Sequence, residues 1–214
     1  MSEILTTEHL SKRYGTGAYV LSGMNVSFSK GTATGLIGPN GSGKTTFMRL
    51  LSATAFPTDG HVRFMDINIH EHPHEYLRHA GLAGDSNNLP TYLNAVELLQ
   101  WILRSKKKWG DGSEEKISTL LDTVLLDERR NNLIGTYSSG MMQKTLIAAG
   151  LIADPEIILL DEPFRALDVD SVNACIGLLE DYKNTGGTII ISSHVKDTLD
   201  KLCSSYIQFP VLDS

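Results

Sequence analysis

Residues 38–46 read Gly-Pro-Asn-Gly-Ser-Gly-Lys-Thr-Thr, and this stretch decides the fold of the chain. It fits the pattern G-x-x-x-x-G-K-S/T, whose fixed places are taken by Gly38, Gly43, Lys44 and Thr45. Residues 34–37 before it, Thr-Gly-Leu-Ile, predict a short buried strand, and apolar residues within 47–51 recur at helical spacing behind it. A strand, a glycine-rich loop and a helix start in this order are the context that makes the pattern specific.

The loop is predicted to bind the phosphates of a nucleoside triphosphate. Its glycines let successive backbone N–H groups turn inward, and the helix N-terminus behind the loop adds partial positive charge. Lys44 can reach the β- and γ-phosphates, and the hydroxyl of Thr45 is placed to bind Mg²⁺. A chance Gly-Lys-Thr in a glycine-rich turn is the alternative, and the flanking strand and helix argue against it.

The composition suits a folded chain with a core, because 41% of the 214 residues are hydrophobic. The net charge of −6 gives no general attraction to nucleic acid, and no nucleic-acid partner is expected. Cys175 and Cys203 fit no metal-binding spacing and suit a reducing compartment. Neither a signal peptide nor an apolar run approaching the ~18 residues of a membrane span is seen, so a membrane role is expected to come through a partner.

Strands alternate with helices along most of the chain. Residues 4–28 read as antiparallel strands, residues 62–69 as an edge strand and residues 79–83 as a further short strand. Beyond them the pattern predicts a helix, a strand, a helix and two strands at about residues 138–153, 157–160, 170–183, 188–192 and 206–209. Continuous apolar strands alternating with helices indicate an α/β fold, with a parallel sheet covered on both faces.

The middle of the chain has a different pattern. Asn94 followed by Glu97 makes a capping box before a helix, and residues 110–113 break that helix before a second one at 114–126. We therefore predict a single domain over residues 1–214. In it, residues 1–85 and 138–214 form the core with a β subdomain, and residues 86–137 form an inserted helical subdomain.

A second candidate catalytic feature is the acidic pair Asp161 and Glu162, which directly follows the apolar strand 157–160. In phosphate-loop ATPases an aspartate in this place holds the Mg²⁺ sphere, and a following glutamate can activate water. An acidic pair at a strand end is otherwise often a helix cap, and the phosphate loop favours the catalytic interpretation. His194 follows the strand 188–192, at the carboxyl end where ligands bind in open α/β sheets.

With residues 137–141, Tyr-Ser-Ser-Gly-Met, the chain resembles the nucleotide-binding subunits of ABC transporters. This segment is similar to the family's signature motif in its exporter-like form. The other motifs that carry the resemblance are residues 38–46, 161–163, 166–168 and 192–194. The resemblance covers residues 4–209. It implies a P-loop (RecA-like) ATPase core with an N-terminal antiparallel β subdomain and an inserted α-helical subdomain.

The resemblance also implies ATP and Mg²⁺ as cofactors and a role for each motif. The catalytic residues would be Lys44, Glu162 as the base and His194 as the γ-phosphate sensor. Tyr14 would stack on adenine, and the phosphates would bind Gly38, Pro39, Asn40, Gly41, Ser42, Gly43, Lys44, Thr45 and Thr46. The metal ligands would be Thr45, Asp85 and Asp161.

A second nucleotide-binding subunit is implied as well, arranged head to tail in a homodimer with two ATPs at the interface. Ser138 and Gly140 are expected on the ATP of that second subunit, and Ser139 and Asp168 are further expected nucleotide-binding residues. On the residues alone, two simpler interpretations stay open. Ser138 can be the N-cap of its helix, and Asp168 can be a turn residue.

Two positions depart from the family's pattern. Aligning residues 80–84 with the strand that leads into the helical subdomain puts Asp85 where the family usually has Gln, and we predict that Asp85 binds Mg²⁺ through a water. The alternative that Asp85 only caps a turn, with Asn87 or Asn88 reaching the site, stays open. The small or polar residues that usually precede Ala166 are replaced by Phe164 and Arg165.

The implied function is that of an ATP-hydrolysing subunit that powers a membrane transporter. We expect an exporter whose transmembrane permease is a separate chain, with this subunit peripheral on the cytoplasmic face of the cell membrane. Residues 86–109, with Tyr92 and Trp101 or Trp109, are the expected partner surface, unless the tryptophans close the subdomain's own core. The alternatives are a soluble ABC ATPase acting on nucleic acid or ribosomes, and a degenerate cassette that binds ATP as a regulatory module.

Overall fold

The computed structural model describes residues 2–210 and shows an α/β fold with two sheets within that range. Residue 1 and residues 211–214, at the ends of the predicted domain, lie outside the described residues. The larger sheet has five strands in the order β6-β7-β8-β3-β9, and all its neighbouring pairs are parallel. Its strands are β3 (Ala33–Ile37), β6 (Ala80–Ala83), β7 (Ile157–Asp161), β8 (Thr188–Ser193) and β9 (Ser205–Gln208).

Both faces of the parallel sheet are covered, as predicted. Ile158 and Leu160 of β7 are buried in an apolar cluster with the helices of the middle and later chain. Ile157 and Leu159 belong to a second cluster, which contains α1 and the antiparallel sheet. Because successive side chains of a strand point to opposite faces, one continuous apolar strand serves both clusters.

The smaller sheet is antiparallel, in the order β2-β1-β4-β5. Its strands are β1 (Glu3–Arg13), β2 (Tyr19–Ser29), β4 (Asp59–Phe64) and β5 (Ile67–Asn68). The prediction of one edge strand over residues 62–69 is wrong. The chain reverses at Met65, which has a φ of +49°, so that Asn68 pairs with Arg63 and β4 lies inside the sheet. The alternation of apolar residues continues through a turn that contains neither glycine nor proline, and it therefore hides the reversal.

The helices are α1 (Lys44–Leu51), α2 (Pro73–His79), α3 (Ala95–Ser105), α4 (Ser113–Thr123), α5 (Ser139–Leu151), α6 (Val169–Asn184) and α7 (Lys196–Leu199). Short 3₁₀ turns lie at Ser86–Asn88 and Ile134–Thr136. The sequence pattern does not predict α2, because Tyr76 is the one residue that this helix buries and no apolar stripe marks it. None of the helices between residues 2 and 210 is long and apolar enough to cross a membrane.

The predicted capping box at the start of α3 is confirmed. Glu97 N donates to Asn94 Oδ1 at 2.9 Å, and Asn94 N donates to Glu97 Oε2 at 2.9 Å. Buried residues of α3 and α4 share one apolar cluster with α5 and the parallel sheet. The division of the chain into a core and an inserted helical subdomain stays a prediction.

Candidate active site

The phosphate loop joins β3 to α1 and is packed closely against its neighbours. A Cβ on Gly38 would lie 2.3 Å from the carbonyl oxygen of Phe209, so no side chain fits at that position. Gly43 has a φ of +101°, and a Cβ there would lie 3.1 Å from Leu21 Cδ2. Glycine at both positions lets the loop backbone follow this path between β2 and the residue after β9.

Lys44 is buried at the start of α1, and the loop wraps around its ammonium group. Lys44 Nζ donates to the carbonyl oxygens of Gly38 at 2.7 Å and Pro39 at 3.0 Å. The hydroxyl of Ser42 is buried and has no hydrogen-bond partner within the described residues. Of the other loop residues, Thr46 is half-buried and the exposed ones are Pro39, Asn40, Gly41 and Thr45.

Ser192 positions the acidic pair at the end of β7. It is fully buried on β8 directly opposite Asp161, and its Oγ donates to Asp161 Oδ1 at 2.5 Å. The same oxygen accepts the backbone N–H of Glu162 at 2.9 Å, where the backbone has a φ of +49°. In the sequence, Ser192 stands out only as part of the motif at residues 192–194. The signal that could have identified its role is a hydroxyl residue at the carboxyl end of the strand that pairs with the Asp161 strand. Recognising that signal requires the register of the two strands.

The carboxylate of Glu162 lies between a cation and an imidazole. His194 Nδ1 is 2.9 Å from Glu162 Oε2, and Lys44 Nζ is 4.0 Å from Glu162 Oε1. The Oε1 atom is buried and has no hydrogen-bond partner within the described residues. Because a carboxylate only accepts, the contact with Oε2 places the imidazole proton on Nδ1 and leaves Nε2 for another partner. This arrangement provides a base, a cation and an imidazole at one edge of the sheet.

The residues at this edge fit Mg²⁺ only together with phosphate oxygens. Within residues 2–210 no three His, Cys, Asp or Glu side chains cluster as a metal site. Thr45 and Asp161 provide hard oxygen ligands, and Mg²⁺ commonly takes few protein ligands together with phosphates and waters. The unpartnered Ser42 hydroxyl and the Lys44 ammonium are suitable donors to those phosphates.

The signature residues lie at the start of α5, beside the segment that follows Glu162. Ser138 and Ser139 are exposed, and Ser138 Oγ accepts the N–H of Met141 at 3.2 Å as the helix N-cap. A Cβ on Gly140 would lie 2.8 Å from the carbonyl oxygen of Ala166, so the two segments are in close contact. Within residues 2–210 no hydrogen bond or ion pair joins these residues to the phosphate loop of the same chain.

Asp168 and Asp85 both cap a helix in the structure. Asp168 Oδ1 accepts the N–H of Ser171 at 2.8 Å at the start of α6, and this hydrogen bond lowers the pKa of the Asp168 carboxyl below its ordinary value. Asp85 is exposed, and its Oδ1 accepts the N–H of Asn87 at 3.0 Å. Asp85 thus makes the cap that its simpler interpretation requires, whereas Asp168, for which that interpretation was a turn residue, is a helix N-cap. The roles of both residues in ATP and metal binding stay predictions. Tyr14 is 51% exposed with the Lys12 ammonium 5.0 Å from its ring, and its adenine role also stays a prediction.

The fold and this site define a phosphate-loop protein of the ATP-binding-cassette class. The family model described as ABC transporter matches residues 21–165, and the chain belongs to that family. The family resemblance and the α/β P-loop fold class are thereby confirmed.

Two curated relatives are named as ATP-binding proteins of transport systems. The chain is 33% identical over 203 residues to the bacitracin transport ATP-binding protein BcrA of Enterococcus faecalis, which covers 94% of this chain and 65% of that protein. It is 32% identical over 185 residues to the ABC transporter ATP-binding protein NatA of Bacillus subtilis, covering 86% of this chain and 75% of that one. The chain thus spans only about two thirds to three quarters of the length of these two relatives.

Solved structures share the fold. One described as the ATP binding subunit of an ABC transporter superposes with a TM-score of 0.89 at 25% identity, covering 96% of this chain and 85% of that chain. A dimeric ATP-binding cassette in a post-hydrolysis state with ADP and Pi superposes with a TM-score of 0.84 at 24% identity, covering 97% of each chain. At that identity the second likeness shows the fold alone.

Proposed function

We propose that the chain is the ATP-hydrolysing subunit of a membrane transporter, and that the transporter is an exporter. The observation that carries the proposal is the convergence of Lys44, Asp161, Glu162 and His194 at the carboxyl edge of the parallel sheet. This edge is where ligands bind in open α/β folds. The direction of transport is supported by relatives named for Nod factor export in Ralstonia nicotianae and for daunorubicin/doxorubicin resistance in Streptomyces peucetius.

The residues divide the chemistry of hydrolysis among them. The loop N–H groups bind the phosphates, and Lys44 exchanges the carbonyls of Gly38 and Pro39 for phosphate oxygens. Thr45 and Asp161 would hold Mg²⁺, which would supply positive charge against the phosphates. Glu162 accepts a proton from water while the water oxygen bonds to the γ-phosphorus and the bond to ADP breaks.

A second copy of the chain completes the site in this proposal. Ser138 and Ser139 are exposed at a helix N-terminus, whose N–H groups and hydroxyls suit an anion. Facing the γ-phosphate on the loop of a second copy, they would exclude water and add donors for the transition state. We therefore propose a head-to-tail homodimer with two ATPs at its interface.

The partner test is co-purification of the tagged chain from detergent extracts with the membrane protein encoded beside it. The proposal expects the two proteins to remain together after gel filtration and ATP turnover to rise in the complex. Recovery with ribosomes or nucleic acid instead would favour the soluble ABC ATPase. The acidic net charge of −6 gives no support to that alternative.

We expect the partner to bind at the exposed aromatic residues beside and on α3. Tyr92 is 77% exposed and Trp101 63% exposed, whereas Trp109 is half-buried with the Arg104 guanidinium 4.3 Å from its ring centre. A photo-crosslinking amino acid at position 92 or 101 should therefore capture the membrane partner. Phe56 is the matched control, because it is 66% exposed and follows α1, away from the helical segment. Capture at position 56 and none at 92 or 101 would contradict this surface.

Asp85 is proposed as a water-mediated ligand of Mg²⁺. Removing its charge should raise the Mg²⁺ concentration for half-maximal ATP turnover by several-fold, in Asp85→Ala and Asp85→Asn alike. Comparing the two variants is informative because asparagine can still cap the turn. If Asp85 only caps the turn, the Mg²⁺ dependence of Asp85→Asn should therefore equal that of the wild type. Asp85→Gln would supply the usual family side chain. An unchanged Mg²⁺ curve for Asp85→Ala, with a shifted one for Asn88→Ala, would contradict the proposal.

A further inference from the structure

A pocket of about 290 Å³ opens beside the Glu162–His194 pair. Two segments line it, residues 162–166 after β7 and, at the end of β8 and in α7, residues 193–195 and Thr198. No residue of the phosphate loop lines it. Glu162 and His194 thus line the pocket, and their hydrogen-bonded pair also belongs to the candidate nucleotide site.

Arg165 brings a positive charge to this pocket. The residue is exposed, and its backbone N–H donates to the carbonyl oxygen of Glu162 at 3.2 Å. Within residues 2–210 its guanidinium has neither a hydrogen bond nor an ion pair. A guanidinium without a partner, held by its backbone one turn from the base, is available to an anion. Its planar fork suits a phosphate better than the point charge of an ammonium.

The other polar groups of the pocket are donors as well. The Thr198 hydroxyl makes no hydrogen bond within the described residues, and His194 Nδ1 is occupied by Glu162, which leaves Nε2. Ser193 Oγ is already used, because it donates to the carbonyl of Val195 and accepts its N–H. Among residues 2–210, the one anionic group that lines the pocket is the carboxylate of Glu162 itself.

The charge of Glu162 changes when water attacks the γ-phosphorus. The proton that the attacking water loses moves to Glu162, and this removes the negative charge that opposes an anion in the pocket. At that moment inorganic phosphate has formed next to Glu162, which lines the pocket. The pocket volume is at the lower limit of ligand sites, about 300 Å³, and suits a hydrated small anion better than a second nucleotide.

We propose that this pocket receives the inorganic phosphate released by hydrolysis, and that Arg165 is the residue that binds it there. The inference rests on the proposed function, because hydrolysis supplies the phosphate. Its ligand is free orthophosphate and not the γ-phosphate of bound ATP. Glu162 afterwards returns its proton to solvent, and its restored charge expels the anion.

The test measures the inhibition constant of orthophosphate and the affinity for a non-hydrolysable ATP analogue in Arg165→Gln, Arg165→Lys and a control variant. Lys196→Gln is the control, because it removes the same charge from an exposed residue next to the pocket that does not line it. We expect the inhibition constant of orthophosphate on ATP turnover to rise about tenfold in Arg165→Gln, as for loss of a charge-assisted hydrogen bond. Arg165→Lys should recover part of this loss, and the affinity for the analogue should stay unchanged in all three.

Three results would overturn the inference. Equal weakening of the analogue and orthophosphate in Arg165→Gln would place Arg165 on the γ-phosphate of bound nucleotide. An equal effect of Lys196→Gln would show that only net charge matters. If an active Arg165→Gln enzyme is inhibited by orthophosphate as strongly as the wild type, the pocket does not bind orthophosphate through Arg165. The proposed function would be unaffected by that result.

A direct binding measurement separates the two claims. ³¹P line broadening of orthophosphate by the ADP-bound chain needs no turnover. Arg165-dependent broadening in a chain that never hydrolyses ATP would contradict the proposed function and leave an anion site without its proposed source.

Discussion

Replacing Glu162 with glutamine should lower ATP turnover by on the order of 10²-fold or more while ATP still binds. Glutamine keeps the size of the side chain but cannot accept the proton of the attacking water. The substitution also removes the negative charge that lies 4.0 Å from Lys44 Nζ and opposes the γ-phosphate. We therefore expect tighter ATP binding and an ATP-bound dimer on size exclusion.

Phosphate release and the equilibrium binding of a fluorescent ATP analogue measure the two effects. Glu128→Gln is the matched control, because Glu128 is an exposed carboxylate without a side-chain hydrogen bond or ion pair within residues 2–210, and it should leave both quantities unchanged. Turnover near the wild-type rate in Glu162→Gln would remove Glu162 from the role of base.

Mixing two inactive variants should restore activity if the site is shared between two copies. Lys44→Ala damages the phosphate loop, and Ser138→Arg places bulk and charge at the exposed start of α5. Each homodimer then has two inactive sites. In the mixed dimer one site carries both substitutions and the other site carries neither. With free exchange in an equal mixture, half of the dimers are mixed, and activity should reach roughly a quarter of the wild-type value.

The control for this experiment mixes Lys44→Ala with Glu162→Gln. Both changes lie on the same half of the shared site, so every dimer in that mixture has two broken sites and no activity should return. If Lys44→Ala and Ser138→Arg exchange subunits and still recover nothing, either the shared-site geometry is wrong or both sites must act together.

Features that depend on neighbours along the chain could be predicted from the sequence. The phosphate loop between a strand and a helix, the capping box of Asn94 and Glu97, and the acidic pair at the end of an apolar strand each occupy one short segment. The resemblance to ABC subunits combined such segments in their order and is confirmed by the family match.

Features that depend on contacts between distant segments could not be predicted. Ser192 holds Asp161 and the Glu162 backbone only because β7 and β8 are in one register. The reversal at Met65 gives no signal, since the apolar alternation runs through it. The close contact of Gly140 with the Ala166 carbonyl likewise follows from how α5 packs, which no local pattern contains.

The most direct measurement is steady-state phosphate release by the purified wild-type chain with ATP and Mg²⁺. The account predicts many turnovers per chain, lost in Lys44→Ala and without Mg²⁺. An ATP affinity that depends on Lys44, with no more than one phosphate released per chain, would contradict it and identify a regulatory ATP-binding module.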